Sequence, residues 1–171
     1  MKRLMNHPVL IWSLIGATCI ALMGVALYYE YIVGALPCLQ CVQIRLWVSA
    51  IAIISLVGAV FHRHDWVQLG CWVSFLLSVI ALTERAWRLL ATEYGLIMAE
   101  CGVPTNPGLP AWLPLHDWFP ALYRPETTCG APLEMLFGVT MAEATLAFSL
   151  VFTVGAFTGL MLFVFVKTPR N

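Results

Sequence analysis

Apolar residues run almost unbroken through four stretches of the chain, about residues 9–29, 42–61, 66–90 and 144–166. The third is apolar as far as Ala81 and continues with polar residues. Each approaches the roughly 20 apolar residues that a helix needs to cross a bilayer, so the pattern predicts an all-α membrane protein, a bundle of four transmembrane helices. Between the second and third stretches stands only "HRHD", a turn that makes those helices antiparallel neighbours. The remaining connections are unequal: about residues 30–41, and about residues 91–143, which are proline-rich. Within the longer one, "PAWLPLHDWFPALY" is dense in Trp, Leu, Phe and Tyr but broken by Pro114 and Pro120, which argues against a long helix. It reads as a short amphipathic segment in the membrane interface, a depth that Trp and Tyr prefer, or as a cover packed on the helix ends beneath it, and the two are compatible. With no internal repeat or low-complexity tract, residues 1–171 form one integral membrane domain.

Composition strengthens the membrane reading. The 171 residues are 61% apolar and 11% charged, far from the balance of soluble domains. A net charge of zero gives no basic face for nucleic acid, and no P-loop, GxGxxG or HExxH motif is present. Lys2 and Arg3 before the first stretch imitate a signal peptide, but its apolar run is too long for one and more spans follow. "ALPC" is also a poor lipoprotein cleavage site, because proline stands directly before the cysteine. An even number of spans puts both termini on one side, where Lys2, Arg3, Arg63, Lys167 and Arg170 face only Asp65. By the positive-inside rule that side is cytoplasmic. The other eight acids fall on or near the opposite side, together with Arg45, Arg85, Arg88 and Arg124.

The candidate chemistry lies in "ALPCLQCVQIRLW", residues 35–47. Of six cysteines, Cys19 and Cys71 fall inside spans, where a thiol behaves as a small buried hydrophobe. Cys38, Cys41, Cys101 and Cys129 all lie outward, which in a bacterial-type inner membrane is the oxidising, periplasmic side. Four cysteines allow three pairings; adjacent pairing is the simplest. A staple closing a loop of about 29 residues, stabilising by roughly 3–4 kcal/mol, accounts for Cys101 and Cys129. It accounts poorly for Cys38 and Cys41, whose ring is short and already stiffened by Pro37. A zinc site lacks the second CxxC that its usual signature requires.

A redox pair explains more of the residues. A helix starting near Cys41 offers its unpaired N–H groups and positive dipole end to a thiolate. Arg45, four residues on, shares the helix face and suits a thiolate or an anionic reduced acceptor, the alternative being an arginine that snorkels to the interface. Two outward pairs suggest a relay, because thiol–disulfide exchange passes through mixed disulfides. There is no CxxCH for haem, and His7, His62, His64 and His116 are mostly on the cytoplasmic side. A membrane-soluble quinone is the acceptor that fits.

With four spans, "PCLQC" followed by Arg45, and "WLPLHDWFPALY" between Cys101 and Cys129, the chain resembles the DsbB-type disulfide oxidases of bacterial inner membranes over nearly its whole length. The resemblance implies oxidation of a periplasmic, thioredoxin-like DsbA partner, with quinone (ubiquinone or menaquinone) as acceptor. By position, Cys101 would form the mixed disulfide with the partner and Cys129 would be its companion. Cys38 would exchange with the loop pair through Cys129, and Cys41 would face the quinone with Arg45 beside it. Met141 matches a family position near the quinone, or simply packs at the start of the fourth helix. Arg88 either helps to shape the headgroup site or joins Arg85 and Glu84 in a local ion-pair cluster. The chain departs from the family pattern at Glu30, where glutamine is common, at Ile44, usually polar, near Arg88, often histidine, after Cys129, where a tryptophan is missing, and in "MAEA", where Met-Pro-x-Trp is typical. The rival is a non-enzymatic four-span scaffold with a stapled outer loop, similar to tetraspanins, but the Cys-Cys-Gly motif of that family is absent. Vitamin K epoxide reductase-like enzymes share the logic but carry their CxxC late in the chain.

Overall fold

Inside a bilayer no water satisfies the backbone, so a long apolar run folds as a helix that bonds its own N–H and C=O groups. The computed structural model describes residues 8–97, 115–125, 127 and 140–167. Its elements are α1 (Pro8–Tyr31), α2 (Leu39–Val60), α3 (Asp65–Glu93), the single turns α4 (Leu115–Trp118) and α5 (Pro120–Tyr123), and α6 (Met141–Lys167). Four of these, α1, α2, α3 and α6, are long and apolar enough to cross a membrane, so the chain is an all-α, multi-pass membrane protein. Cys38 and Thr127 form an isolated β-bridge.

Local chemistry sets the ends. The chain leaves α1 through Gly34, whose φ of 79° suits a residue without a Cβ. Asp65 sits in the first turn of α3, at the positive end of the helix dipole. Thr140 and Glu143 cap α6 reciprocally: the Thr140 N–H donates to Glu143 Oε2 (3.1 Å) and the Glu143 N–H to Thr140 Oγ1 (3.2 Å), a capping box. Tyr94 Oη then donates to Glu143 Oε1 at 2.7 Å, tying the end of α3 to the start of α6.

Successive long helices pack side by side, α1 on α2, α2 on α3 and α3 on α6. The core is densest at the end holding the α2–α3 turn. Trp12, 1% exposed, lies 4.9 Å from Trp72 and 5.9 Å from Phe75 between ring centroids. Its indole N–H donates to Gln68 Oε1 (2.8 Å), and Gln68 Nε2 donates to the Gly58 carbonyl (2.6 Å). One buried amide thus joins α1, α2 and α3 with its polar groups satisfied, as a low-dielectric interior requires. The aromatic rings need space on their partners: a Cβ on Gly58 would stand 2.6 Å from the Trp12 ring, and one on Gly159 would meet the Trp72 ring. Close approach at small residues is how helices without a hydrophobic driving force gain packing in lipid. Nearer the middle, Thr83 and Thr153 share a hydrogen bond of 3.1 Å between α3 and α6.

Gly58→Ala is therefore expected to destabilise the bundle by about 1–3 kcal/mol through overpacking against Trp12. Gly24→Ala, which meets nothing within 4 Å, should change stability little; unfolding in detergent compares the two. Tyr94 has its pKa raised by its hydrogen bond to Glu143 and by that carboxylate's charge. A raised phenol pKa means that the Tyr94–Glu143 link supports folding below the ordinary tyrosine range and is lost as pH climbs through the raised value. Ultraviolet titration of Glu143→Gln should show one tyrosine returning to the ordinary range.

Candidate functional site

Pro37 fixes the chain's entry into α2, and Cys38 follows in extended backbone (φ −81°, ψ 167°) as the N-cap. Helix α2 therefore begins at Leu39 rather than near Cys41, because the Cys38 sulfur does the capping, accepting the Cys41 N–H at 3.3 Å. The sulfur that meets the open helix end is thus that of Cys38, where N–H groups and the dipole favour a thiolate. The two sulfurs lie 2.6 Å apart. Cys38 is buried, packed with Leu89 of α3 and Ala142 of α6, and Cys41 is half-buried.

One turn deeper, the Arg45 side chain is 7% exposed. Its Nη1 lies 2.5 Å from Oε2 of Glu30, whose side chain is only 13% exposed, and 3.5 Å from the Leu122 carbonyl. Charge in so dry a setting requires such partners. The apolar pattern did not reveal that pairing: Glu30 and Arg45 lie on different helices, and nothing local links them.

The segment carrying α4 and α5 covers this end of the bundle. Tyr123, buried, shares a 2.8 Å hydrogen bond with Ser49, whose hydroxyl also donates to the Arg45 carbonyl. Tyr31 donates to the Ala121 carbonyl at 3.0 Å, and the Thr127 N–H reaches the Pro37 carbonyl at 3.4 Å. Thr127 is thereby fixed beside Cys38.

Beneath this cover lies a cavity of about 430 Å³. Its wall includes Cys41, Ile44, Arg45, Met141 and Ala144, and Arg45 is the one charged residue among those lining it. The space exists because α1 packs on α2, and α6 on α3, without a comparable interface between α1 and α6. Cys41, Arg45 and Met141 are thus brought together. Arg88 is not on that wall: it is half-exposed and ion-paired with Glu84, which also pairs with Arg85. Cys101 and Cys129 lie outside the described residues. Cys19 and Cys71 are buried in α1 and α3, and Cys19 reaches the cavity. Among the described residues no three His, Cys, Asp or Glu side chains converge as a metal site.

Comparison with known proteins finds relatives over most of the chain. The family model described as "Disulfide bond formation protein DsbB" matches residues 8–159. A disulfide bond formation protein B of Shewanella loihica is 31% identical over 145 residues, 78% of each chain. One from Shewanella sp. (strain MR-4) is 30% identical over 165 residues, covering 90% of this chain and 85% of its own. A disulfide bond formation protein B 2 of Pseudomonas aeruginosa is 28% identical over 138 residues, 81% of this chain and 82% of its own.

Removing the Arg45 charge alone leaves the Glu30 carboxylate buried without its partner. Arg45→Met is expected to destabilise by up to about 3–5 kcal/mol. Adding Glu30→Gln should restore most of the loss, read as the unfolding midpoint in detergent.

Proposed function

Because this chain belongs to the DsbB family and is a membrane-embedded disulfide oxidoreductase, we propose that it reoxidises a periplasmic DsbA-like thioredoxin-fold protein. In this reading the electrons pass through two cysteine pairs to membrane quinone, ubiquinone or menaquinone. The protein sits in the bacterial inner membrane with both termini cytoplasmic and Cys38, Cys41, Cys101 and Cys129 periplasmic. One observation carries the reading: a CxxC with its sulfurs 2.6 Å apart stands between a cavity holding a single buried arginine and a cover that leads on to Cys129.

The steps balance as thiol–disulfide exchange. A thiolate of the partner attacks Cys101 of the Cys101–Cys129 disulfide, expelling Cys129. The partner's second thiolate displaces Cys101, and the partner leaves oxidised. Cys129 then attacks Cys38 of the Cys38–Cys41 disulfide, expelling Cys41 as a thiolate, and Cys101 resolves the link by attacking Cys129. The loop pair is again a disulfide, and the two electrons reside on Cys38 and Cys41. Support for the exchange comes from Thr127, paired with Cys38 and two residues before Cys129, a stretch that spans at most about 7 Å.

The cavity suits the acceptor, since about 430 Å³ falls within the ordinary range of small-molecule sites and its wall is apolar apart from a few polar groups. Cys41, Arg45 and Met141 would hold the quinone, which when bound supplies a two-electron, two-proton acceptor, so that one turnover converts dithiol plus quinone to disulfide plus quinol. Arg45, a permanent cation one turn from Cys41, favours departure of Cys41 as a thiolate. A stapled scaffold offers no use for a charged side chain buried beneath a CxxC.

Mixing the purified protein with a reduced DsbA-like protein and a soluble quinone analogue should give quinone reduction, followed by absorbance, that falls to background in Cys41→Ser. An absence of turnover with several such partners and both quinone classes would favour the scaffold.

A further inference from the structure

We propose that Glu30 is a positioning residue that sets how much of the Arg45 charge is felt at Cys41 and in the cavity. The inference rests on the reading of Cys38 and Cys41 as the pair that discharges into that cavity. Arg45 and Cys41 both line the cavity, and their i,i+4 spacing on α2 puts their Cβ atoms about 5–6 Å apart. Glu30, from the last turns of α1, is not part of the cavity wall. It meets the guanidinium at Nη1, the nitrogen that also contacts the Leu122 carbonyl.

Two consequences follow from this arrangement. The contacts at Nη1 anchor the guanidinium to α1 and to the covering segment, so its place beside Cys41 depends on both. The carboxylate at 2.5 Å also opposes the guanidinium charge where screening is weak, so a thiolate at Cys41, or negative charge arriving in the cavity, experiences a partly neutralised pair rather than a bare cation. Glutamine at position 30 keeps the shape and a hydrogen-bond acceptor for Nη1 while leaving the Arg45 charge unopposed. The identity of residue 30 thereby tunes the reactivity of Cys41 without touching it.

The test is the rate at which Cys41 is alkylated by iodoacetamide in the fully reduced, full-length protein at one fixed pH, resolved from Cys38 by fragment mass spectrometry. Glu30→Gln is expected to raise this rate by about tenfold, the effect of one pKa unit on the thiolate fraction. The Glu30→Gln/Arg45→Met double variant should react at least tenfold more slowly than Glu30→Gln, because Glu30 acts through Arg45. A Glu30→Gln rate equal to or below wild type overturns the proposal, as does a double variant as fast as Glu30→Gln. If Glu30→Gln does not accumulate in the membrane, Glu30→Asp, which draws the carboxylate back by one methylene, is expected to give a smaller rise, and a rate at or below wild type overturns the proposal. Quinone turnover in the same preparations is scored separately: its absence in wild type defeats the oxidase reading, whereas an unchanged alkylation rate defeats this one.

Discussion

A positive charge buried at the rim of an apolar bundle governs the arrangement of everything near it. Arg45 is carried one turn inside α2, where leaving a guanidinium unpaired costs several kcal/mol. Its compensation draws on three parts of the chain: Glu30 from the end of α1, the Leu122 carbonyl from α5, and the Ser49–Tyr123 hydrogen bond that seats α5 against α2. The same contacts hold the short loop of α1–α2 and the covering segment over the CxxC. The CxxC, the cavity and the cover therefore meet at one side chain.

The opposite end of the bundle is organised by different physics. There Trp12, Trp72 and Phe75 interlock against glycines, and Gln68 closes a fully buried polar bridge among three helices. That end is tight because large rings face residues without side chains. Toward the CxxC end the wall residues between α1 and α6 include Ala21, Ala26 and Ala144, too small to fill the gap. Packing that is dense at one end and open at the other leaves a cavity beside the cysteines above a tightly interlocked base.

Much of this was legible in the sequence because its causes are local. Four apolar runs of spanning length, the "HRHD" turn and the proline breaks in "WLPLHDWFPALY" each dictate structure over a few residues, and α4 and α5 remain single turns around Pro120. The CxxC–Arg45 spacing likewise predicts one helix face, and both Cys41 and Arg45 line the cavity. What escaped was set by partners distant in sequence. The Glu30 pairing, the Trp12–Gln68 bridge and the Tyr123–Ser49 bond join residues far apart in the chain, and no periodicity encodes them. Helix α2 starts at Leu39, ahead of the apolar run, because the Cys38 sulfur caps it, and a cysteine is an unusual N-cap that no apolar pattern marks. Thr140 and Glu143 were different: the Thr-x-x-Glu capping signal stands in "TMAE" and was available to be read.

Departures from the DsbB pattern acquire physical meaning once placed. Ile44 and Ala144 line the cavity, and Glu30 stands behind the arginine that charges it. Glu143 is absorbed in capping α6 and binding Tyr94, and Ala142 is fully buried in the cluster that holds Cys38. An isoleucine in place of a polar residue makes the wall drier, an alanine in place of tryptophan gives it room, and a carboxylate in place of an amide offsets its one charge. These three positions bear on the chamber, whereas Arg88 lies off its wall, paired with Glu84. Cys38 and Cys41 are held by α2 itself, the one as its N-cap and the other in its first turn.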